Sequence, residues 1–150
     1  MIGASPAVFA VVFVALYVAH EVGDHWVQTS GQALGKGAAG WPGRWACMRH
    51  VATLTATKLI TLGLALMVLD LALSPWAVAA GLAVDAASHY WADRRVTLAA
   101  LAERVGKGEF VRLGDGVAAP AGTGAYALDQ SWHIAFLFVA ALISCIGGAA

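Results

Sequence analysis

A chain of 150 residues has the length of one domain. Apolar residues make up 60% of it and charged residues 12%, against about 45–50% and about 25% in water-soluble domains, and the mean hydropathy is strongly positive. That composition suits lipid as the solvent, while a net charge of zero and the lack of a basic patch with interleaved aromatics argue against nucleic acid as a partner.

In chain order, a first span is expected from about Pro6 to Val27, with His20, Glu21, Asp24 and His25 in its last two turns. Its apolar start, Ala7 to Ala19, lacks preceding positive charges and runs into polar residues rather than a small-residue cleavage site, so it is expected to be retained. A loop over Gly31–Trp45 carries Lys36 and Arg44. A second span follows over about Ala46–Leu69, closed by Asp70 and Ser74-Pro75, and a third, the shortest, over Trp76–Trp91. The polar segment Ala92–Ala127 then sets Val96, Leu98, Leu101 and Val105 against Arg94, Arg95, Glu103 and Arg104, the pattern of a short amphipathic surface helix. Its second half, Gly114–Gly124, is Gly/Ala-rich and reads as a flexible loop. A fourth span covers about Leu128–Ile146. The expected fold is therefore an all-α integral membrane protein, a single domain of four transmembrane helices plus a short amphipathic cytoplasmic helix.

Cys47 and Cys145 fall near opposite ends of their spans, roughly 30 Å apart and far beyond the ~7 Å Cα limit for a disulfide; both read as buried apolar residues. Trp26, Trp41, Trp45, Trp76, Trp91 and Trp132 cluster near span ends, as an interfacial aromatic belt would. Lys36, Arg44 and Arg49 flank the first loop, and Arg94, Arg95, Arg104, Lys107 and Arg112 lie in the third. The termini and the 70–75 turn carry no Lys or Arg, so the positive-inside rule puts both basic loops in the cytoplasm and both termini outside.

Ionisable residues within spans point to function, and here they recur at a spacing of four: His20 and Asp24, Asp85 and His89, Asp129 and His133, with His50 near the start of the second span. A spacing of four holds each pair on one helix face, and the expected topology brings all seven residues to the cytoplasmic side. Counted inward at ~1.5 Å per residue, His20, Asp85 and His133 form a layer about 9–10 Å deep, and Asp24, His50, His89 and Asp129 one about 3–6 Å deep. Such N/O ligands suit one or two divalent ions, zinc first and manganese or iron next, with Asp24 and Asp129 as candidate proton relays. The alternative is that each His–Asp pair hydrogen-bonds and joins helices in lipid. Gln28 and Gln130 adjoin the pairs as candidate hydrogen-bond partners of the ligands. Lys58, near the middle of the second span, lines a polar cavity with Thr53 and Thr57, pairs with a carboxylate such as Asp85, or snorkels toward an interface. Asp93 follows His89 by four and reads as a solvated surface acid; His25, Glu21 and Asp70 receive no role.

The motifs His20-x-x-Gly23-Asp24-x-x-Val27-Gln28, Asp85-x-x-x-His89-Tyr90 and Leu128-Asp129-Gln130-x-x-His133 resemble a bacterial and phage membrane family named domain of unknown function 3307, over nearly the whole chain. That resemblance implies a multi-span membrane protein with His and Asp motifs and no established activity. The long 92–127 segment and the Ala/Gly-rich composition look like versions from actinobacteria or their phages, which implies a bacterial cytoplasmic membrane, or that of a host. A looser similarity to inner-membrane proteins classed as metal-dependent hydrolases rests on analogy alone.

Three functions follow as expectations. The first is a metal-dependent hydrolase acting at the cytoplasmic leaflet on a lipid or phosphoester. The second is an interaction or regulatory module whose His–Asp pairs are structural. The third is a small transporter, which the almost wholly apolar outer halves of the spans (Ala7–Val14, Leu62–Leu69, Phe136–Ile143) disfavour.

Overall fold

The computed structural model describes residues 5–116 and 122–147. All regular structure among them is helical: α1 (Pro6–Val22), a π-helical turn (Gly23–Val27), α2 (Ser30–Gly35), α3 (Gly40–Val68), α4 (Pro75–Asp93), α5 (Val96–Arg104), α6 (Gly108–Val111) and α7 (Gly124–Ser144). Only part of the Gly114–Gly124 stretch, expected as a flexible loop, lies within the described residues.

Local chemistry sets the helix starts. The Ser5 side chain accepts a hydrogen bond from the Val8 amide, and Pro6 occupies the first turn of α1. Thr29 and Gln32 form a reciprocal capping box on α2. α3 begins at Gly40, six residues before the expected start at Ala46; Gly40 takes a φ of 73° at the entry, and Pro42 in the first turn interrupts no intrahelical bond. α7 begins four residues before Leu128, where the Thr123 hydroxyl accepts from the Tyr126 amide. The expected amphipathic helix is α5, with Leu98 and Ala102 buried.

The long helices form a bundle in which α4 packs most extensively on α7 and α1 on α3, with α1–α7 and α3–α4 contacts closing the ring. One half of its interior is apolar, built from Val8, Val12, Leu16, Leu62, Leu82 and Leu137. The outward faces are apolar as well: Val14, Val18, Ile60, Leu64, Met67 and Leu142 are all exposed, a surface suited to lipid. Three helical segments, Pro6–Val27, Gly40–Val68 and Gly124–Ser144, are long and apolar enough to cross a membrane. α4 is not among them, because its buried face carries Asp85, Ser88, His89 and Asp93.

Trp26, Trp41, Trp45 and Trp76 are exposed near helix ends. Trp91 and Trp132 instead pack against each other with their rings tilted, 4.9 Å between centroids, and Trp132 Nε1 donates to Ser88 Oγ at 3.0 Å. Cys47 and Cys145 are buried free thiols.

The α4–α7 contact depends on Gly81, where an added Cβ would overlap the Ala140 carbonyl oxygen and Ser144 Oγ. Gly81→Ala is therefore expected to destabilise the chain by about 1–3 kcal/mol through overpacking. Thermal unfolding in detergent checks this, and an unchanged midpoint would mean that the two helices separate freely.

Candidate metal centre

Each long helix delivers one buried imidazole to the same end of the bundle. His20 comes from the last turn of α1, His50 from the third turn of α3, His89 from α4 and His133 from α7. The His89 and His133 rings stack with centroids 3.8 Å apart, and His50 and His20 lie 5.1 and 5.7 Å from His89. Asp24 enters from the π-helical turn, whose wider winding re-aims side chains and recurs at functional sites. Gly23 opens that turn, and a Cβ there would collide with Leu54 of α3. Asp93, one turn beyond His89, completes the group with 1% exposure.

The donor atoms of His50 and His89 lie close to each other and to one oxygen each of Asp24 and Asp93. His50 Nε2 is 3.1 Å from His89 Nε2, 3.1 Å from Asp24 Oδ1 and 3.3 Å from Asp93 Oδ2. His89 Nε2 is 3.7 Å from Asp24 Oδ1 and 3.3 Å from Asp93 Oδ2. Of these five contacts only His50–His89 has hydrogen-bond geometry, and Asp24 Oδ1 and Asp93 Oδ2 make no hydrogen bond at all. A tetrahedral zinc ion with ligands at about 2.0–2.1 Å sets its donors about 3.3–3.4 Å apart, the middle of this range. Close donors that do not bond to one another suit a shared cation.

Three further residues extend the cluster. His133 Nε2 lies 3.4 Å from Asp129 Oδ1 and 3.8 Å from Asp93 Oδ1, and His20 Nδ1 lies 3.8 Å from Asp24 Oδ2. Overlapping sets of donors (Asp24, His89, His133; His50, His89, Asp93; Asp93, Asp129, His133) fall within 4.8 Å of one another. Lys36 Nζ contacts Asp93 Oδ1 at 2.7 Å. Arg94 holds that lysine's loop against the end of α4, with Nη1 donating to Lys36 O and Nη2 to Ala38 O, both at 2.6 Å. Three carboxylates and one ammonium leave a formal charge of two negative with the imidazoles neutral, an excess that one divalent cation would balance.

Six of the seven expected ligands, His20, Asp24, His50, His89, Asp129 and His133, meet in this cluster. Asp85 does not. It lies one turn deeper on α4 and forms a buried ion pair with Lys58, 2.5 Å from Oδ2 to Nζ. Of the roles open to Lys58, the structure shows the pairing with Asp85, and Lys58 makes no hydrogen bond to a cluster residue. The two expected layers also merge, because the His133 ring stacks directly on that of His89. Asp93, read as a solvated acid, is instead central. The signal for it was the run Asp85, His89, Asp93 at steps of four, which keeps all three on one buried helix face. Lys36 carried no signal beyond its charge, since its place depends on Arg94.

A cavity of about 600 Å³ opens beside the cluster, lined by Asp24, Asp93 and Asp129 at its inner end, by Lys36 and Arg95, and by Val96, Leu98 and Val111 of the amphipathic segment. Gln28 and Gln130 line it too. Gln130 Nε2 donates to Asp129 Oδ2 at 3.4 Å, whereas Gln28 Nε2 is buried without a partner. His25, which had no expected role, contacts the Tyr126 hydroxyl at 3.1 Å on the cavity wall. No family model matches the chain, and neither a curated protein nor a solved structure matches it.

Proposed function

We propose that this chain is a four-span protein of a bacterial cytoplasmic membrane, termini outside, that binds a divalent ion at its cytoplasmic end and uses it to hydrolyse a lipid or phosphoester. α4, at 19 residues, extends about 28 Å at 1.5 Å per residue, close to a hydrocarbon core of about 30 Å. The clustered end of the bundle is also the end that carries Lys36, Arg94 and Arg95, which supports a cytoplasmic orientation. The three motifs resembling the domain of unknown function 3307 contribute Asp24, His89, Asp129 and His133 to a single cluster, which supports reading them as one site.

The observation that carries the metal reading is the close approach of His50 and His89 to each other and to unbonded oxygens of Asp24 and Asp93. Zinc suits it best, since the donors are nitrogen and oxygen and the distances from the two imidazoles lie near those a tetrahedral zinc sets. Hydrolysis is supported by the adjoining cavity, where carboxylates meet Lys36, Arg95 and an apolar wall. An amphiphile with an anionic head fits that lining, and a metal-activated water would attack it. The apolar interior of the opposite half of the bundle offers no polar route across, which disfavours transport.

Elemental analysis of detergent-purified protein tests the reading. At least one equivalent of zinc, manganese or iron is expected, lost in His50→Ala and His89→Ala variants that keep their helical content. Hydrolysis of soluble phosphoesters or vesicle lipids should be lost with it. No metal in the parent chain, even after reconstitution, would leave the cluster as a set of helix–helix contacts.

A further inference from the structure

We infer that a second divalent ion binds beside the first, held by Asp93 Oδ1, Asp129 Oδ1 and His133 Nε2, with Asp93 bridging the two ions. The inference rests on the metal reading above and assigns the hydrolytic step to the second position. Asp93 addresses two separate groups with its two oxygens: Oδ2 faces His50 and His89 at 3.3 Å each, and Oδ1 faces His133 at 3.8 Å beside the Lys36 ammonium at 2.7 Å. A carboxylate that turns one oxygen to each of two donor sets is arranged to bridge ions about 3.5–4 Å apart.

The two positions differ in openness. The first draws on four protein residues, His50 and His89 each facing both Asp24 and Asp93, which is the ligand number of a closed structural site. The second has three, with coordination left for water or substrate, which is the catalytic arrangement. His133 Nε2 is buried and makes no hydrogen bond. Asp93 and Asp129 both line the cavity, so the open side of the second ion faces the space a substrate would enter. Charge agrees with this order. One divalent ion neutralises the three carboxylates and Lys36 taken together; a second leaves the centre positive and in need of an anionic ligand, such as hydroxide or a phosphate oxygen, beside Lys36 and Arg95.

Zinc titration of the full chain in detergent, with bound metal counted by elemental analysis, separates the two sites. The parent chain is expected to hold two equivalents. Asp129→Ala should hold one; its side chain is 23% exposed on the cavity wall, so the fold has little to lose, and circular dichroism checks that. His133→Gln should give the same single equivalent by removing a different donor. Two equivalents retained in both variants would overturn the assignment. One equivalent in the parent, unchanged in both variants, would overturn it while leaving the first site standing. No metal in any of the three would remove both readings.

Discussion

Lys58→Met is expected to destabilise the chain by about 3–5 kcal/mol, and adding Asp85→Leu is expected to restore the loss in full or to exceed the parent. Lys58 is fully buried, and its ammonium lies 2.5 Å from Asp85 Oδ2 with no other carboxylate in contact. Removing the ammonium strands a carboxylate in a low-dielectric interior, which costs far more than the pair contributes. Removing both partners and replacing them with apolar groups of similar volume abolishes the desolvation penalty together with the attraction. Equilibrium unfolding in mixed detergent, monitored by circular dichroism, gives both numbers. A single variant as stable as the parent would mean that Asp85 finds another partner. The double variant carries a second expectation: because Asp85 belongs to this pair and not to the cluster, the full metal content should be retained. Loss of metal there would return Asp85 to the ligand set.

Asp93→Ala should weaken zinc binding by well over the about 10–100-fold that loss of an outer hydrogen-bond partner typically costs. Asp93 contacts His50, His89 and His133 and balances Lys36, so its removal deletes a donor and leaves the Lys36 ammonium facing the ion position. Repulsion from that ammonium adds to the lost coordination. Competition against a chromophoric chelator measures the affinity. A change within about threefold, below the lower bound of an outer-partner effect, would show that Asp93 is not a ligand. The Lys36→Met/Asp93→Ala pair distinguishes the two contributions: recovery relative to Asp93→Ala alone measures the repulsion, and the remainder is the ligand.

The apolar helical segments and the convergence of His20, Asp24, His50, His89, Asp129 and His133 were legible from the sequence. Hydropathy is summed over a whole span, and a spacing of four holds any two residues on one helix face whatever the rest of the chain does. Composition and pattern therefore determined an all-helical chain with apolar segments of span length, the start of its first long helix and six members of the cluster. Tertiary structure decided what period alone leaves open. Asp85, His89 and Asp93 share one face of α4, and only the position of Lys58 across the α3–α4 contact, and of Lys36 held by Arg94, determines which carboxylate meets an ammonium in the apolar interior and which meets three imidazoles. The π-helical turn at Gly23 likewise depends on its packing against Leu54. Side-chain periodicity specifies a face and not the neighbour opposite it, and a buried charge takes its role from that neighbour.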